Sequence, residues 1–186
     1  TAAGHEFNVI AGETLDIGNV EPVVDQSNPP GAVTLGGVDH LNIEAGETLR
    51  LGGNADLYAT AANAAITIDV ENAEIAGRIF AGASLNPQDP GNPTWTEEIG
   101  TGTASLTVNA NDEITLGGNQ LIETGEQAGQ VIASPAVLLA SGTLTLDSGR
   151  GDPAGTAGKL LKVDDLARLE ANDLALRSSG LLWMAG

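Results

Sequence analysis

Two histidines, a handful of arginines and many carboxylates are the side chains with which this chain could do chemistry. His5 and His40 each stand just before a similar stretch, FNVIAG and LNIEAG. Two imidazoles brought to one face suit a metal ion. Turn positions repeated in register explain the same pattern without one. Adjacent acids occur at Asp112 and Glu113, at Glu97 and Glu98, and at Asp164 and Asp165. Neighbours on a strand point to opposite faces, so such a pair is not by itself an acid–base couple. There is no cysteine and no G-x-S-x-G elbow, which removes thiol nucleophiles and the common hydrolase turn. A polysaccharide lyase or hydrolase needs bases clustered with acids. Residues 1–149 offer only Arg50 and Arg78.

Hard oxygen donors at turns make Ca2+ the cofactor to expect if there is one, although no EF-hand loop and no G-G-x-G-x-D repeat occurs. The glycine pairs Gly36-Gly37, Gly52-Gly53 and Gly117-Gly118 lack the Lys-Ser or Lys-Thr of a phosphate loop. The last two, continued as Gly52, Gly53, Asn54 and Gly117, Gly118, Asn119, recur at one position of a repeat and read as turns. Trp95 and Trp183 are the aromatic candidates for ligand or subunit contact. No residue is assigned a catalytic, cofactor-binding or metal-binding role.

Those residues must be positioned by a repeat. FNVIAGETLDIGN (7–19), LNIEAGETLRLGGN (41–54) and LTVNANDEITLGGN (106–119) share one spacing of apolar positions. Leu138, Ala140, Leu144 and Leu146 follow it. Ile66, Ile68, Val70, Ala73 and Ile75 follow it with one residue removed, as do Leu169, Ala171, Leu174 and Leu176. The period within each copy is two, which predicts strands with one buried face. The GET, NDE and SGT stretches predict tight turns. Short extra strands are expected at 56–60, 78–81 and 120–123. Aromatics make up only 3% of the chain, so thin aliphatic layers must form its core. The expected fold is all-β: a β-solenoid of about six coils forming one domain over 1–186. A β-sandwich is the alternative. The stretches 21–31 and 86–98 are proline-rich surface excursions. Residues 159–186 read as a capping or docking segment, with 159–176 as a final coil and a capping helix as its alternative.

The net charge is −18. Such a surface disfavours nucleic acid and anionic membranes. No apolar run reaches the length of a membrane helix, so membrane insertion is not expected. Residues 1–149 carry 20 acids and two bases, whereas residues 150–186 carry five of each. The last fifth of the chain is therefore suited to docking on an acidic neighbour.

SLTVNANDEITLGGN, ASGTLTLDSG and LARLEANDLALRSSGLL resemble the repeats of large bacterial exoproteins of the filamentous haemagglutinin class. The resemblance implies a right-handed β-helix at the bacterial cell surface, serving adhesion, aggregation or a fibrous stalk. The copies here start 25–40 residues apart, against about 20 in that family. Asn86-Pro87 and Asn92-Pro93 lie in a proline-rich loop and do not match its secretion motif. Autotransporter passengers share the LxLxxG texture, so the secretion route stays open. The function expected is an extracellular structural protein, a self-associating subunit or segment of a surface fibre. The alternatives are an adhesin stalk, whose loops bind a host or surface glycan or protein, and a carbohydrate-active enzyme.

Overall fold

The computed structural model describes residues 5–18, 33–53, 55–82, 101–121, 131–149 and 159–185. The loops 21–31 and 86–98, with Trp95, Glu97 and Glu98, lie outside these residues, as does Asn54. Strands occupy most of what is described, and no helix occurs among the described residues. In chain order the strands are β1 (Glu6–Ala11), β2 (Leu15–Ile17), β3 (Val33–Val38), β4 (His40–Leu51), β5 (Ala55–Ala59), β6 (Ala65–Ile75) and β7 (Arg78–Ala81). There follow β8 (Ser105–Leu116), β9 (Gly118–Leu121), β10 (Val131–Ser134), β11 (Val137–Ser148), β12 (Leu160–Val163), β13 (Arg168–Ser178) and β14 (Leu181–Met184). The three short strands expected between copies form as β5, β7 and β9, within a residue or two.

Twelve of these strands join one sheet, and every pairing in it is parallel. β9 and β10 make a separate antiparallel pair. The sheet has a long arm, in which β1 and β2 pair with β4, then β6, then β8. It also has a short arm, β3–β5–β7. β11 belongs to both arms. Val137–Ala140 pairs with β7, and Thr143–Ser148 pairs with the first half of β8. β12 pairs with the second half of β8.

All-β is therefore right, but the expected solenoid of six coils is not what forms. The strands make one continuous parallel sheet, curled into a half-barrel rather than wound into distinct coils. The physical reason lies in β11, which spans both arms and fuses them. The sequence spacing would set Leu144 beside Ile114, yet Leu144 pairs with Leu106. A β-sandwich is excluded too, because it needs two packed sheets. The helical reading of 159–176 gives way to β12 and β13.

The curl encloses rows of aliphatic side chains. Leu41, Ile66, Leu106 and Leu144 form one row and Ile43, Ile68, Val108 and Leu146 the next, all fully buried. Each row exists because inward positions repeat with period two and the register is parallel. The GET, NDE and SGT stretches are not turns in β4, β8 and β11, whose strands run through them. They are bulges. Ala45 to Thr48 in β4 lies opposite Val70 to Asn72 in β6, one residue shorter. Gly142 marks where β11 passes between the arms. A Cβ there would lie 2.7 Å from the Ala104 carbonyl oxygen and 2.7 Å from the Thr103 carbonyl carbon.

Candidate functional site

The rows do not stop at a cap. β1 and β2 form one edge of the long arm and pair only with β4. β13 and β14 form the other edge, pairing with β11 and β12 respectively. Edge strands present unpaired backbone donors and acceptors, and natural proteins usually blunt them with proline, lysine or an inward charge. Here the inward positions are Phe7, Val9, Ala11, Leu15 and Ile17 at one edge and Leu174, Leu176, Leu182 and Met184 at the other. None is charged, and none of these four strands contains proline or lysine.

Exposure follows the edges. The exposed large apolar side chains among the described residues are Phe7 and Ile10 in β1, Leu174 in β13, all four residues of β14, and Leu166 alone elsewhere. Phe7 is 42% exposed and Leu174 48%, whereas Leu41 and Leu144, the next residues inward in the same row, are at 0%. The core is thus cut open at both ends.

The edges differ in charge. β1, β2 and their connection carry Glu6, Glu13 and Asp16 and no base apart from His5 just before them. β13 is neutral, with Arg168 and Arg177 balanced by Glu170 and Asp173 and Arg168 paired to Glu170 at 2.6 Å; Lys162 lies on the strand beneath β14 and Lys159 just before it. Lys162 sets its ammonium 5.3 Å from the centre of the Trp183 ring. Trp183 therefore lies exposed on the edge strand and does not plug the core.

Lys159 also pairs with Asp112. This contact, with a hydrogen bond from the Glu71 side, holds the Asp112 carboxyl below its ordinary value. A carboxylate with a lowered native pKa stabilises the fold above its unfolded value, and that contribution disappears as pH falls through the lowered one. The stability difference between the native chain and Lys159→Met should therefore be constant at neutral pH and shrink below about pH 4. Urea titrations at a series of pH values check this. A difference that grew on acidification would refute the pairing.

The other candidate residues are spread out. Asp164 and Asp165 sit in a turn rather than on a strand, and there their side chains do meet. The Asp165 carboxyl donates to the Asp164 carboxylate, which holds Asp164 below the ordinary carboxylate value and pushes Asp165 above it. Glu113 accepts a hydrogen bond from Thr115 Oγ1 at 2.8 Å. His5 and His40 stand on neighbouring segments, with His40 opposite Glu6, and both are exposed. Arg50 spans two carboxylates on the open outer face, Asp16 at 4.0 Å and Glu74 at 3.4 Å. Arg78 forks onto one, Asp56, at 2.6 and 2.8 Å.

Gly52 donates its N–H to the Ile17 carbonyl at 2.9 Å, and Gly117 to Ile75 at 2.8 Å with a φ of 74°. Both follow the end of a long strand, and Gly53 is in the turn. Gly118 and Asn119 are instead in β9. A shallow groove of about 250 Å³ follows the bulge line. Its polar groups bind each other: Asn109 donates to Asp69 at 2.7 Å and Asn111 to Glu71 at 2.9 Å. Among the described residues no three acids or histidines converge to hold a metal ion, and no helix is long and apolar enough to cross a membrane.

Sequence reasoning found β1, β2 and the copy at Leu169–Leu176 that lies in β13, but not β14. Leu174, Leu176, Ser178, Leu182 and Met184 repeat the spacing of Leu106, Val108, Ala110, Ile114 and Leu116 without a gap. That signal was present in LALRSSGLLWM, overlapped by the copy starting at Leu169.

What fold and edges define is an all-β protein built on one curled parallel sheet with its core exposed at both ends. No family model, no curated protein and no solved structure matches the chain.

Proposed function

We propose that this is a structural protein whose role is to self-associate through the open edges of its sheet. One observation carries the reading: the same buried rows run out to solvent at β1 and at β13 and β14, with no inward charge to guard them. Exposed edges with apolar inward positions are templates for strand addition. The uneven charge along the chain supports it, because an acidic edge repels a neutral one less than it would another acidic edge. An extracellular, surface-fibre setting rests on the resemblance to haemagglutinin-type repeats alone.

Sedimentation velocity over a wide range of concentrations tests the reading. The native chain should shift to higher mass as concentration rises. Leu182→Asp combined with Met184→Asp should hold it as a monomer with an unchanged circular dichroism spectrum. A native chain that stays monomeric throughout overturns the proposal.

A further inference from the structure

The two edges are not merely open; they are copies of one another. Leu174 is joined through Leu144, Leu106, Ile66 and Leu41 to Phe7 in a single unbroken row. The row of Leu182 runs in the same way to Leu15. Each edge is interrupted once, at Ser179 and Gly180 above and between Ala11 and Leu15 below. The interruption falls at the same point of the row, because Ser178 and Leu182 are spaced as Ala11 and Leu15 are.

We infer, resting on the self-association proposed above, that the partner of this edge is a second copy of the chain, added head to tail and parallel, with β13 and β14 of one copy over β1 and β2 of the next in the register that sets Leu174 on Phe7. Two observations carry this. The apolar row continues without a change of side-chain type or step. The matching rows of the two edges continue in register only when the added strand is also parallel, which makes the contact heterologous rather than two-fold. The outer-face charges do not add to the fit, because in this register Asp173 falls over Glu6. In this register Ala175 lies over Asn8 and Trp183 over Asp16, all on the outer face. A heterologous contact of this kind propagates unless the rotation between copies closes it into a ring.

The absence of cysteine from the chain gives a clean test. Chains carrying only Ala175→Cys are mixed with chains carrying only Asn8→Cys under mild oxidation. Adjacent strands bring these Cα atoms within disulfide range, while a shift of two residues takes them beyond about 7 Å. The expected result is a mixed disulfide at least about tenfold more abundant than with Glu6→Cys in place of Asn8→Cys. The pair Trp183→Cys and Asp16→Cys repeats the test on the other half of the edge, should either outer-face change disturb the sheet. Self-association without an in-register link, or equal linking to Glu6→Cys, overturns the register while leaving self-association standing. Homodimers of the Ala175→Cys chain alone overturn the head-to-tail polarity. Monomers at every concentration overturn the underlying reading as well.

Discussion

Arg78→Met is expected to destabilise the fold by about 3 kcal/mol, measured as a shift in the urea midpoint at neutral pH. The value follows from what is left behind. Asp56 has only 4% of its side chain exposed, and Arg78 is directly opposite it on the next strand. The guanidinium meets the carboxylate with two parallel hydrogen bonds, from Nε at 2.6 Å and from Nη2 at 2.8 Å. Removing one partner of a buried pair costs about 3–5 kcal/mol, because the remaining charge is stranded away from water. The lower end applies here, since Arg78 itself is 38% exposed and solvent screens part of the pair.

The double replacement Asp56→Leu with Arg78→Met separates loss of an attraction from stranding of a charge. It should recover most of the stability, because no charge remains to be solvated. A single-variant loss below about 1 kcal/mol, the range of an exposed ion pair, would show that Asp56 reaches water. By comparison, Arg50 spans Asp16 and Glu74 with all three side chains more than 40% exposed, and its removal should change stability little.

The inner surface of the sheet was legible in the sequence because period-two spacing and parallel register leave little freedom. Once Leu41, Ile66 and Leu106 are read as equivalent, their pairing follows, and β1, β4, β6 and β8 stack as the repeat implies. The step that could not be read is the one at β11. Its SGT stretch looks like GET and NDE, yet its first half joins β7 and its second half joins β8. Nothing in Ala140, Ser141 and Gly142 as residue types distinguishes a bulge within one arm from a passage between two. The distinction depends on Gly142 meeting the backbone of Thr103 and Ala104, which lie far away in the chain. The Asp56–Arg78 pair was hidden for the same reason. Either residue alone reads as a surface charge, and only the pairing of β5 with β7 makes them partners. At the edges, charge and hydrophobicity were visible, but exposure is a property of where the rows end.

Position within a row also decides the size of the second effect. Leu106→Ala is expected to cost about 2–5 kcal/mol, with the true value toward the upper end. Leu106 is fully buried between Ile66 and Leu144, themselves at 0% exposure. Ladder hydrogen bonds on both sides hold the neighbouring strands at a fixed spacing, so the cavity has little means of collapsing. Set against a total stability of about 5–15 kcal/mol, that loss leaves the monomer near its unfolding threshold. Leu174→Ala removes the same atoms from the same row, two strands further out, where the side chain is 48% exposed. It should cost the isolated monomer only about 1 kcal/mol, because half of the buried area is already absent and no closed cavity is left. Its effect should appear instead in sedimentation, as a weaker concentration dependence. Equal losses of monomer stability from the two variants would mean that the row is covered at β13, and the open edge on which self-association rests would not exist.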